Sequence, residues 1–590
     1  MIRSWRSTLT ALGVAAAVAS SGGAAEAASC GNADNSGQAA INDVILILRA
    51  QSDVLLRPTL CGGAGYNNCA DVNANGQVDI SDVVQLLREI SRLPSCLPPP
   101  CVSSGNNLAG CPGTATLPGS ITANAVIPAG CDARISGVTF VEPGVVLTIR
   151  PGAVVKGTAG QTPPATLIVK TGAKINAVGT AAAPIVFTST NGAGARNQED
   201  WGGVALLGRA TVNVPPDAST TLEGLPPDAD LVCGKDANGN RDVNDNSGCL
   251  RFVRIEFAGR DLSPNNELNL LVLCGVGRGT QIDHVQAHFG ADDCVEWFGS
   301  TVNTKFMIAS ACGDDGFDTQ LGTQSALQFG LVTQRLGNIE ADSHGLEMDN
   351  IDPALASTDT TPVSNVKYCN LTMCGIKGQA GSPASTAQIG IRSRRGNSVT
   401  VANSIISSFS NGANGGGLSL QDPATTGHMC AATCAGGSNP GATCRQASDC
   451  TGGTCTFANA RATLASPFAL GAVGVVRNSL FFNNGSSGSA HGFNVSACDT
   501  AGECACTSAE YFSFIDANEN VEGAAADPMN ICGGAFPAAN PVPGAGTLAD
   551  THPAADCTTI DGSFESASYI GAFAPGGANW TQPWASFPSN

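Results

Sequence analysis

The stretch that decides the fold is Val285-Gln-Ala-His-Phe-Gly-Ala-Asp-Asp-Cys-Val-Glu-Trp297, whose pattern returns 22 residues later in Met307-Ile-Ala-Ser-Ala-Cys-Gly-Asp-Asp-Gly-Phe-Asp-Thr319. Repeats of about 20 to 26 residues with strand-forming and small side chains indicate a parallel β-helix, in which each repeat forms one coil. A β-sandwich is the alternative, but its strands do not place carboxylates at a fixed step. The apolar positions extend into a third repeat, with Val285, Met307 and Phe329 in one series and Ala287, Ala309 and Leu331 in another.

The composition favours an exported protein rich in strands and loops. The chain has 590 residues, of which 43% are hydrophobic, 5% aromatic and 13% charged, with 72 Gly and 24 Cys. So low a charged fraction is not typical of long helical proteins or coiled coils. Val, Ile and Leu recur too often for a disordered chain. The net charge of −19 leaves no basic surface for phosphate, so we expect no nucleic-acid partner.

Residues 1–27 have the pattern of a signal peptide. Arg3 and Arg6 form a basic region, an apolar run extends from Leu9 to Val18, and Ala25-Glu26-Ala27 supplies a cleavage site. All 24 cysteines follow this site, and an even number in an exported chain favours disulfides over metal–thiolate sites. No later apolar run reaches the ~20 residues that span a bilayer. We therefore expect a secreted or cell-surface protein without a transmembrane segment.

Two loops after the signal peptide have the spacing of calcium-binding loops. Short oxygen-bearing side chains at alternate positions converge on one hard cation, and Gly37 and Gly76 allow the sharp turn. Each loop precedes an apolar helical segment, Val44 to Leu48 and Val83 to Leu87. The predicted calcium ligands are Asn32, Asp34, Ser36 and Asp43 in the first loop and Asp71, Asn73, Asn75, Asp79 and Asp82 in the second.

This duplicated loop and helix pattern resembles the dockerin family, over about residues 28–96. The resemblance implies a small α-helical calcium module and a cohesin-type partner. A calcium-stabilised cap without a partner is the alternative that the same residues allow. Pro98-Pro99-Pro100 then marks a stiff linker over residues 97–109.

Residues 110–590 are assigned to the β-helix, so the predicted fold class is mainly β: a right-handed parallel β-helix after a small helical module. Asp200-Trp-Gly-Gly203, Arg254-Ile-Glu-Phe-Ala-Gly259 and the ending Tyr569-Ile-Gly-Ala-Phe573 resemble secreted bacterial right-handed β-helix proteins of the pectate-lyase-like type. The resemblance implies the fold and leaves the activity open. Five cysteines between residues 428 and 456 predict a disulfide-rich insertion.

The repeated carboxylates are the best candidate for chemistry. Asp292, Asp293 and Glu296 recur as Asp314, Asp315 and Asp318, and stacked coils would bring them about 5 Å apart. Two ionised carboxylates at that distance repel by ~3 kcal/mol at an effective dielectric constant of 20. A cation such as calcium, a shared proton, or the guanidinium groups of Arg392, Arg394 and Arg395 would relieve the repulsion.

Three functions fit these carboxylates. One is a structural calcium or ion-paired ladder, and a second is a carbohydrate-binding groove in which Trp297 stacks on a sugar beside Glu296 and Asp318. The third is an enzyme acting on acidic polysaccharide, a lyase or a glycoside hydrolase. We expect an extracellular, calcium-stabilised binding protein first, and the enzyme as the alternative.

The enzyme hypothesis draws on a resemblance to polygalacturonases. The order Asp292-Asp293, Ser343-His344-Gly345 and Ile391-Arg392-Ser393-Arg394 is similar to theirs, with Ser for Gly and Arg for Lys at one position each. The resemblance implies that Asp314 or Asp315 is the general acid, that the neighbouring Asp activates water, and that Arg392 holds a substrate carboxylate. His344 and Arg394 would also line the substrate site.

Overall fold

The structure, a computed structural model, describes residues 111–409 apart from 215–230, 264–265, 341, 352–360, 378, 380 and 383–387. It also describes several short segments between 416 and 532, and residues 540–589. The predicted signal peptide, calcium module and linker, and with them every predicted ligand from Asn32 to Asp82, lie outside the described residues.

The regular secondary structure of the described chain is almost entirely β, with one short α-helix, α1 (Leu548–Thr551), and one 3-10 turn (Cys557–Thr559). The strands are β1 (Gly113–Thr116), β2 (Ser120–Ile121), β3 (Ala125–Ile127), β4 (Cys131–Ile135), β5 (Val138–Val141), β6 (Val146–Ile149), β7 (Val154–Gly157), β8 (Thr166–Val169), β9 (Lys174–Val178), β10 (Ile185–Ser189), β11 (Gly203–Leu207), β12 (Gly248–Glu256), β13 (Arg260–Ser263), β14 (Asn266–Leu268), β15 (Leu271–Cys274), β16 (Gln281–His288), β17 (Val295–Phe298), β18 (Asn303–Ser310), β19 (Phe317–Gln320), β20 (Ala326–Thr333), β21 (His344–Met348), β22 (Asn365–Cys374), β23 (Ile389–Ser393), β24 (Ser398–Ala402), β25 (Ile405–Ser407), β26 (Gly416–Leu420), β27 (Ala432–Gly436), β28 (Thr443–Cys444), β29 (Gly453–Thr456), β30 (Val475–Arg477), β31 (Leu480–Phe482), β32 (Phe493–Val495) and β33 (Val521–Gly523).

These strands stack as the coils of a parallel β-helix. A 17-stranded sheet folds along a corner into two faces, and an 11-stranded sheet forms the third. Sheet 1 contains β3, β6, β9, β24, β30 and the first halves of β12, β16, β18, β20 and β22; sheet 2 contains β1, β4, β7, β10, β25, β31, β33 and the second halves. Sheet 3 contains β2, β5, β8, β11, β15, β17, β19, β21, β23, β26 and β32, all parallel where neighbours pair.

The register confirms the first 22-residue step and corrects the second. Val285 pairs with Met307, as expected, but Met307 pairs with Gly330 where the sequence predicted Phe329. The series through Ala309 likewise continues to Val332 instead of Leu331. The cause is the connection from β19 to β20, which is one residue longer than the connection from β17 to β18.

The corner between sheets 1 and 2 carries a column of residues with positive φ. Phe252, His284, Phe306 and Phe329 occupy it in successive coils, with φ between 48° and 61°. Their rings follow one another at centroid distances of 4.4, 4.5 and 4.9 Å. Asparagine, which tolerates this conformation well, takes the position in the later coils, as Asn370, Asn403 and Asn478.

The interior of the coils holds one continuous apolar core. Val, Leu and Ile from all three sheets fill it, with the aromatic rings of Trp201, Trp297, Phe187 and Phe317. Inward and outward residues alternate along each short strand of sheet 3, as Val295 and Trp297 do against Glu296. This alternation presents the repeated carboxylates on the outer side of sheet 3.

The C-terminal residues 541–589, which we call the strap, cross the outer side of sheets 1 and 2. The strap covers outward apolar residues such as Ile308 and Leu331 with Phe573 and Trp584. Its course runs backwards over the coils, because Asn478 bonds to Pro553, Gln328 to Glu565, and Gln286 to Ser586. All eight residues of β20 are therefore buried, on both sides of the sheet.

Disulfides tie this architecture together, as the cysteine count predicted. The pairs among the described residues are Cys111–Cys131, Cys233–Cys274, Cys294–Cys312, Cys369–Cys557 and Cys374–Cys532. The Cys369–Cys557 disulfide connects β22 to the strap, and the Cys374–Cys532 disulfide connects β22 to the chain that leads into the strap. At the predicted insertion, β27 pairs antiparallel with β28 and β29, while the cysteine pairing there stays a prediction.

Candidate metal centre on sheet 3

The outer side of sheet 3 carries a column of charged side chains, one for each coil. Glu296 lies opposite Asp318, Asp318 opposite Glu347, and Glu347 opposite Arg392. Val272 precedes Glu296 in the same column, so the charged series begins on β17. The step from Glu296 to Asp318 is the one that the sequence predicted.

A second column lies in the turn that leads into sheet 3, and its side chains accept backbone N–H groups from the next coil. Asn269 Oδ1 accepts from the N–H of Asp293 at 3.0 Å, and Asp293 Oδ1 accepts from Asp315 at 2.9 Å. Asp315 Oδ1 in turn accepts from the N–H of His344. These carboxylates therefore help to fix the turn as well as adding charge to the face.

Side chains from the two columns converge in three groups, each with its ligand atoms within 4.8 Å of one another. Two groups contain only carboxylates, and the third also contains an imidazole. The groups are Asp292, Asp293 and Asp314; Asp293, Glu296 and Asp318; and Asp315, His344 and Glu347. Carboxylate oxygens are the ligands of hard cations such as Ca²⁺, so the first two groups suit calcium.

Burial and neighbouring charge act together on Asp293, which belongs to both carboxylate groups. Burial raises the pKa of Asp293 well above its usual value, and the negative charges of Asp292, Asp315, Asp318 and Glu296 raise it further. A carboxyl in this environment takes up a proton or a cation, because both remove the uncompensated negative charge.

Asp318 also has a raised pKa, and one of its carboxylate oxygens accepts no hydrogen bond from a described residue. Its pKa is raised well above the usual value by burial and by Glu347 and Asp349, against the opposing effect of Arg394. Asp318 Oδ1 is buried and has no hydrogen-bond partner among the described residues. A buried carboxylate oxygen without a donor is costly unless it is protonated or binds a cation.

Asp314 and Asp315 complete the acidic end of the outer side of sheet 3. We call this end, which also contains Asp292, Asp293, Glu296 and Asp318, the acidic face. Burial is the main cause that raises the pKa of each, with Glu347 next for Asp314 and Asp314 next for Asp315. Asp293 and Glu296 are almost fully buried, whereas Asp292, Asp314 and Asp318 are partly exposed. These three side chains are therefore where the groups are open to solvent.

Arginines neutralise the other end of the face, as the sequence allowed. Arg392 Nη1 lies 2.9 Å from Glu347 Oε2 and 3.1 Å from Asp342 Oδ2. Arg394 Nε lies 2.8 Å from Asp349 Oδ1, and its Nη2 contacts Glu347 Oε1. Arg395 Nη1 adds a contact of 2.8 Å to Asp349 Oδ2.

Arg392 also contacts two members of the third group, His344 and Glu347. Its Nη1 lies 2.7 Å from His344 Nε2, and the N–H of Ile389 lies 3.2 Å from His344 Nδ1. Burial, Arg392 and Arg394 all lower the pKa of His344, so the ring is neutral. A neutral imidazole can accept only one of these two donors, and the shorter, charge-assisted contact with Arg392 is the stronger.

Replacing Arg392 with Gln is expected to lower the free energy of unfolding at pH 7 by about 2–3 kcal/mol, because Glu347 and Asp342 lose a charged donor. Urea unfolding measures the change. Arg392→Lys should lose less, and Arg134→Gln is the control, because Arg134 is 45% exposed and lies 4.0 Å from Asp132. Equal losses for the Arg392 and Arg134 variants would contradict the ion-pair network.

The structure corrects the expectation for Trp297. Its side chain is 2% exposed and packs inside the coils, where its ring lies 5.9 Å from that of Phe317. The alternation along β17 explains the difference, because Glu296 points outward and its neighbours must point inward. Trp297 therefore does not form a sugar-stacking platform on the acidic face.

Some residues of the site escaped the sequence reasoning. Asn269 begins the turn column, Asp349 pairs with two arginines, and Gln320 donates to Glu296 Oε1 at 2.7 Å. The 22-residue step that relates Glu296 to Asp318 also relates Phe298 to Gln320, and it would have marked Gln320. Asp349 follows a longer coil, so no constant step leads to it.

A comparison with known protein families agrees with this architecture. The model of the pectate-lyase-like β-helix domain matches residues 119–432, just over half of the chain. The chain belongs to this family. The match covers the strands of sheet 3 from β2 to β26, including β17 to β23 with the charged column, and ends at the start of the predicted disulfide-rich insertion. No curated protein and no solved structure matches the chain.

Within the described ranges, no helix is long and apolar enough to cross a bilayer.

Proposed function

We propose that this pectate-lyase-like β-helix protein binds polysaccharide outside the cell, and that the acidic end of sheet 3 binds calcium. The family and the disulfides among the described residues support an extracellular, polysaccharide-related role. The finer parts of the proposal, calcium and an acidic polysaccharide, rest on the chemistry of the carboxylate groups.

The observation that carries the proposal is the pair of carboxylate groups that share Asp293. The charged groups that act most strongly on Asp293 are all carboxylates, and Asp318 presents a buried oxygen without a donor among the described residues. Oxygen ligands from adjacent coils can meet one Ca²⁺ at its usual distances of about 2.3–2.6 Å. A bound cation would also supply positive charge to a face that otherwise repels an anionic sugar polymer.

Replacing Asp293 with Asn is expected to reduce calcium affinity at the β-helix by at least tenfold, because both carboxylate groups lose a shared ligand. Isothermal titration of the full chain measures this as the loss of one class of sites relative to the unchanged protein. Asp318→Asn should weaken only the group with Glu296. Asp550→Asn, in α1, is the matched control and should leave calcium binding as it was.

The same variants test the polysaccharide. Binding of a uronate polymer to the full chain is expected to weaken in EDTA and in Asp293→Asn, and to persist in Asp550→Asn. Calcium titrations that are identical for all four proteins would overturn the metal site. Calcium binding without any effect on polysaccharide binding would leave the cation with a structural role.

An enzyme is the second candidate, and one observation favours it. Burial and neighbouring carboxylates raise the pKa of Asp314 and of Asp315, which favours the protonated form that a general acid needs. In that role Asp314 or Asp315 would protonate the leaving oxygen. Arg392 would have to release Asp342 or Glu347 before it could hold a substrate carboxylate.

The test for catalysis is product release from uronate polymers, with and without EDTA. An Asp314→Asn/Asp315→Asn variant should lose the activity, and Asp550→Asn should keep it. Absence of product on every uronate polymer would remove the enzyme.

The dockerin-like module is supported only by the sequence pattern of residues 28–96. We propose that it binds calcium through the loops at Asp34 and Asp71 and docks onto a cohesin-type partner. A pull-down with cohesin domains in calcium, against EDTA and an Asp71→Asn variant, tests the docking.

A further inference from the structure

The last residues of the strap lie across sheet 2 as an extended peptide. Gln286 holds both polar groups of Ser586, with its Nε2 donating to the carbonyl at 2.7 Å and its Oε1 accepting from the N–H at 2.9 Å. Arg254 Nη1 donates to the carbonyl of Trp584 at 3.3 Å. These contacts recognise backbone, as a peptide-binding strand surface does.

His288 provides the next contact along this segment. Its Nε2 donates to the carbonyl of Pro588 at 2.8 Å, while its Nδ1 accepts from the hydroxyl of Ser310 at 2.8 Å. The edge of the ring of Phe587 lies against the imidazole, at a centroid distance of 5.8 Å. His288 is 3% exposed because the strap covers it.

The segment after Trp584 is less buried than Trp584 itself. Trp584 is fully buried, whereas residues 585–588 are half-buried and Ser589 is exposed. The nearest described disulfide along the strap is at Cys557, well before this segment. Residues 585–589 can therefore leave sheet 2 while Trp584 stays in place.

The charges that face His288 are mostly positive. Arg254, on β12, and Arg335, after β20, both act on it, and Arg335 Nη1 also reaches the carbonyl of Ser589 at 3.5 Å. Glu256, beside His288 in the register, pairs with Arg254 at 3.0 Å and with Arg196 at 3.6 Å. Glu256 is thus already neutralised by two arginines and does not offset the positive charges that face His288.

We propose that residues 585–589 form a latch over His288 that opens on acidification while the β-helix stays folded. Protonated His288 can keep both hydrogen bonds, since Ser310 can accept in place of donating. The cost is the burial of a positive charge beside two guanidinium groups. Opening the latch removes this cost by letting water reach the ring.

The direction of the pH effect follows from the pKa of His288. Burial, with Arg335 and Arg254, lowers the pKa of His288 in the closed latch from 6.5 to about 4. The closed form is therefore fully favoured above about pH 6.5 and is progressively lost as the pH falls towards 4. The equilibrium for closing changes by up to about 100-fold over this range.

A fluorophore ligated enzymatically to the C-terminus of the full chain tests the latch. Its anisotropy is expected to fall between pH 6.5 and 4, while the circular dichroism of the sheets does not change. His288→Gln keeps a donor for Pro588 but cannot be charged, so its anisotropy should stay high. His552→Gln is the control and should behave like the unchanged protein.

Phe587→Ala gives an independent measurement, because it loosens the latch without changing His288. Its anisotropy should fall at a higher pH than that of the unchanged protein. The proposal is overturned if the anisotropy falls only together with the sheet signal, or if His288→Gln responds to pH as the unchanged protein does.

Discussion

Replacing Trp584 with Ala is expected to lower the free energy of unfolding by about 3–5 kcal/mol. The indole is fully buried and joins the strap to sheet 2 by packing with Ile308, Leu331 and Phe573. It also meets the corner column edge-on, 5.9 Å from Phe252 and 5.8 Å from His284. The loss therefore combines a large cavity with the uncovering of outward apolar residues.

Urea unfolding followed by circular dichroism measures this effect. Leu262→Ala is the control, because Leu262 is 41% exposed and its removal should cost under about 0.5 kcal/mol. If both variants unfold at the same urea concentration as the unchanged protein, the strap is not part of the stable core. Because long solenoids can lose cooperativity, the midpoint and the slope should both be compared.

Raising the pH from about 4.5 to 7.5 in calcium-free buffer is expected to reduce the contribution of the acidic face to the free energy of unfolding. Added calcium is expected to restore that contribution. The raised pKa values of Asp293, Asp314, Asp315 and Asp318 mean that the folded protein holds protons that the unfolded chain releases. Their stabilisation is present in full below the unfolded pKa near 3.8 and is lost as the pH rises through the folded pKa. His288, whose pKa is lowered, contributes in the opposite direction.

Calcium at 100 times its dissociation constant should add about 2.7 kcal/mol for each site at pH 7.5. Trp297 packs directly behind Glu296, so tryptophan fluorescence follows unfolding in the β-helix itself and not in the N-terminal module. Asp293→Asn should reduce both the pH dependence and the gain from calcium. A protein that is equally stable in EDTA and in calcium at pH 7.5 would argue against a cation at this face.

The sequence by itself determined the repeat and therefore the architecture. Side chains at a constant step must stack when each repeat forms one coil, which is why Val285 meets Met307 and Glu296 meets Asp318. The step fails after β19, because connections between strands can change length without disturbing the stacking of the strands themselves. A fixed period thus predicts neighbouring coils well and distant coils poorly.

The position of each side chain relative to the core was decided only by the tertiary structure. Trp297 is a plausible sugar platform in the sequence, yet the strand alternation directs it inward once Glu296 faces out. Arg392 is a candidate substrate ligand, yet it meets Glu347, Asp342 and His344 because coils of unequal length bring them together. Their separation along the chain follows no repeat.

The strap is the clearest case of what the sequence could not determine. The chain returns across the coils that formed earlier, so Ser586 meets Gln286 and Pro588 meets His288 at a separation of 300 residues. The local pattern records which strand faces are apolar, as the run Phe329-Gly-Leu-Val332 within β20 does, but not which segment covers them. Periodicity fixes contacts between adjacent coils, because those contacts repeat. Contacts that occur once, such as those of the strap and of Arg392, depend on how the whole chain packs.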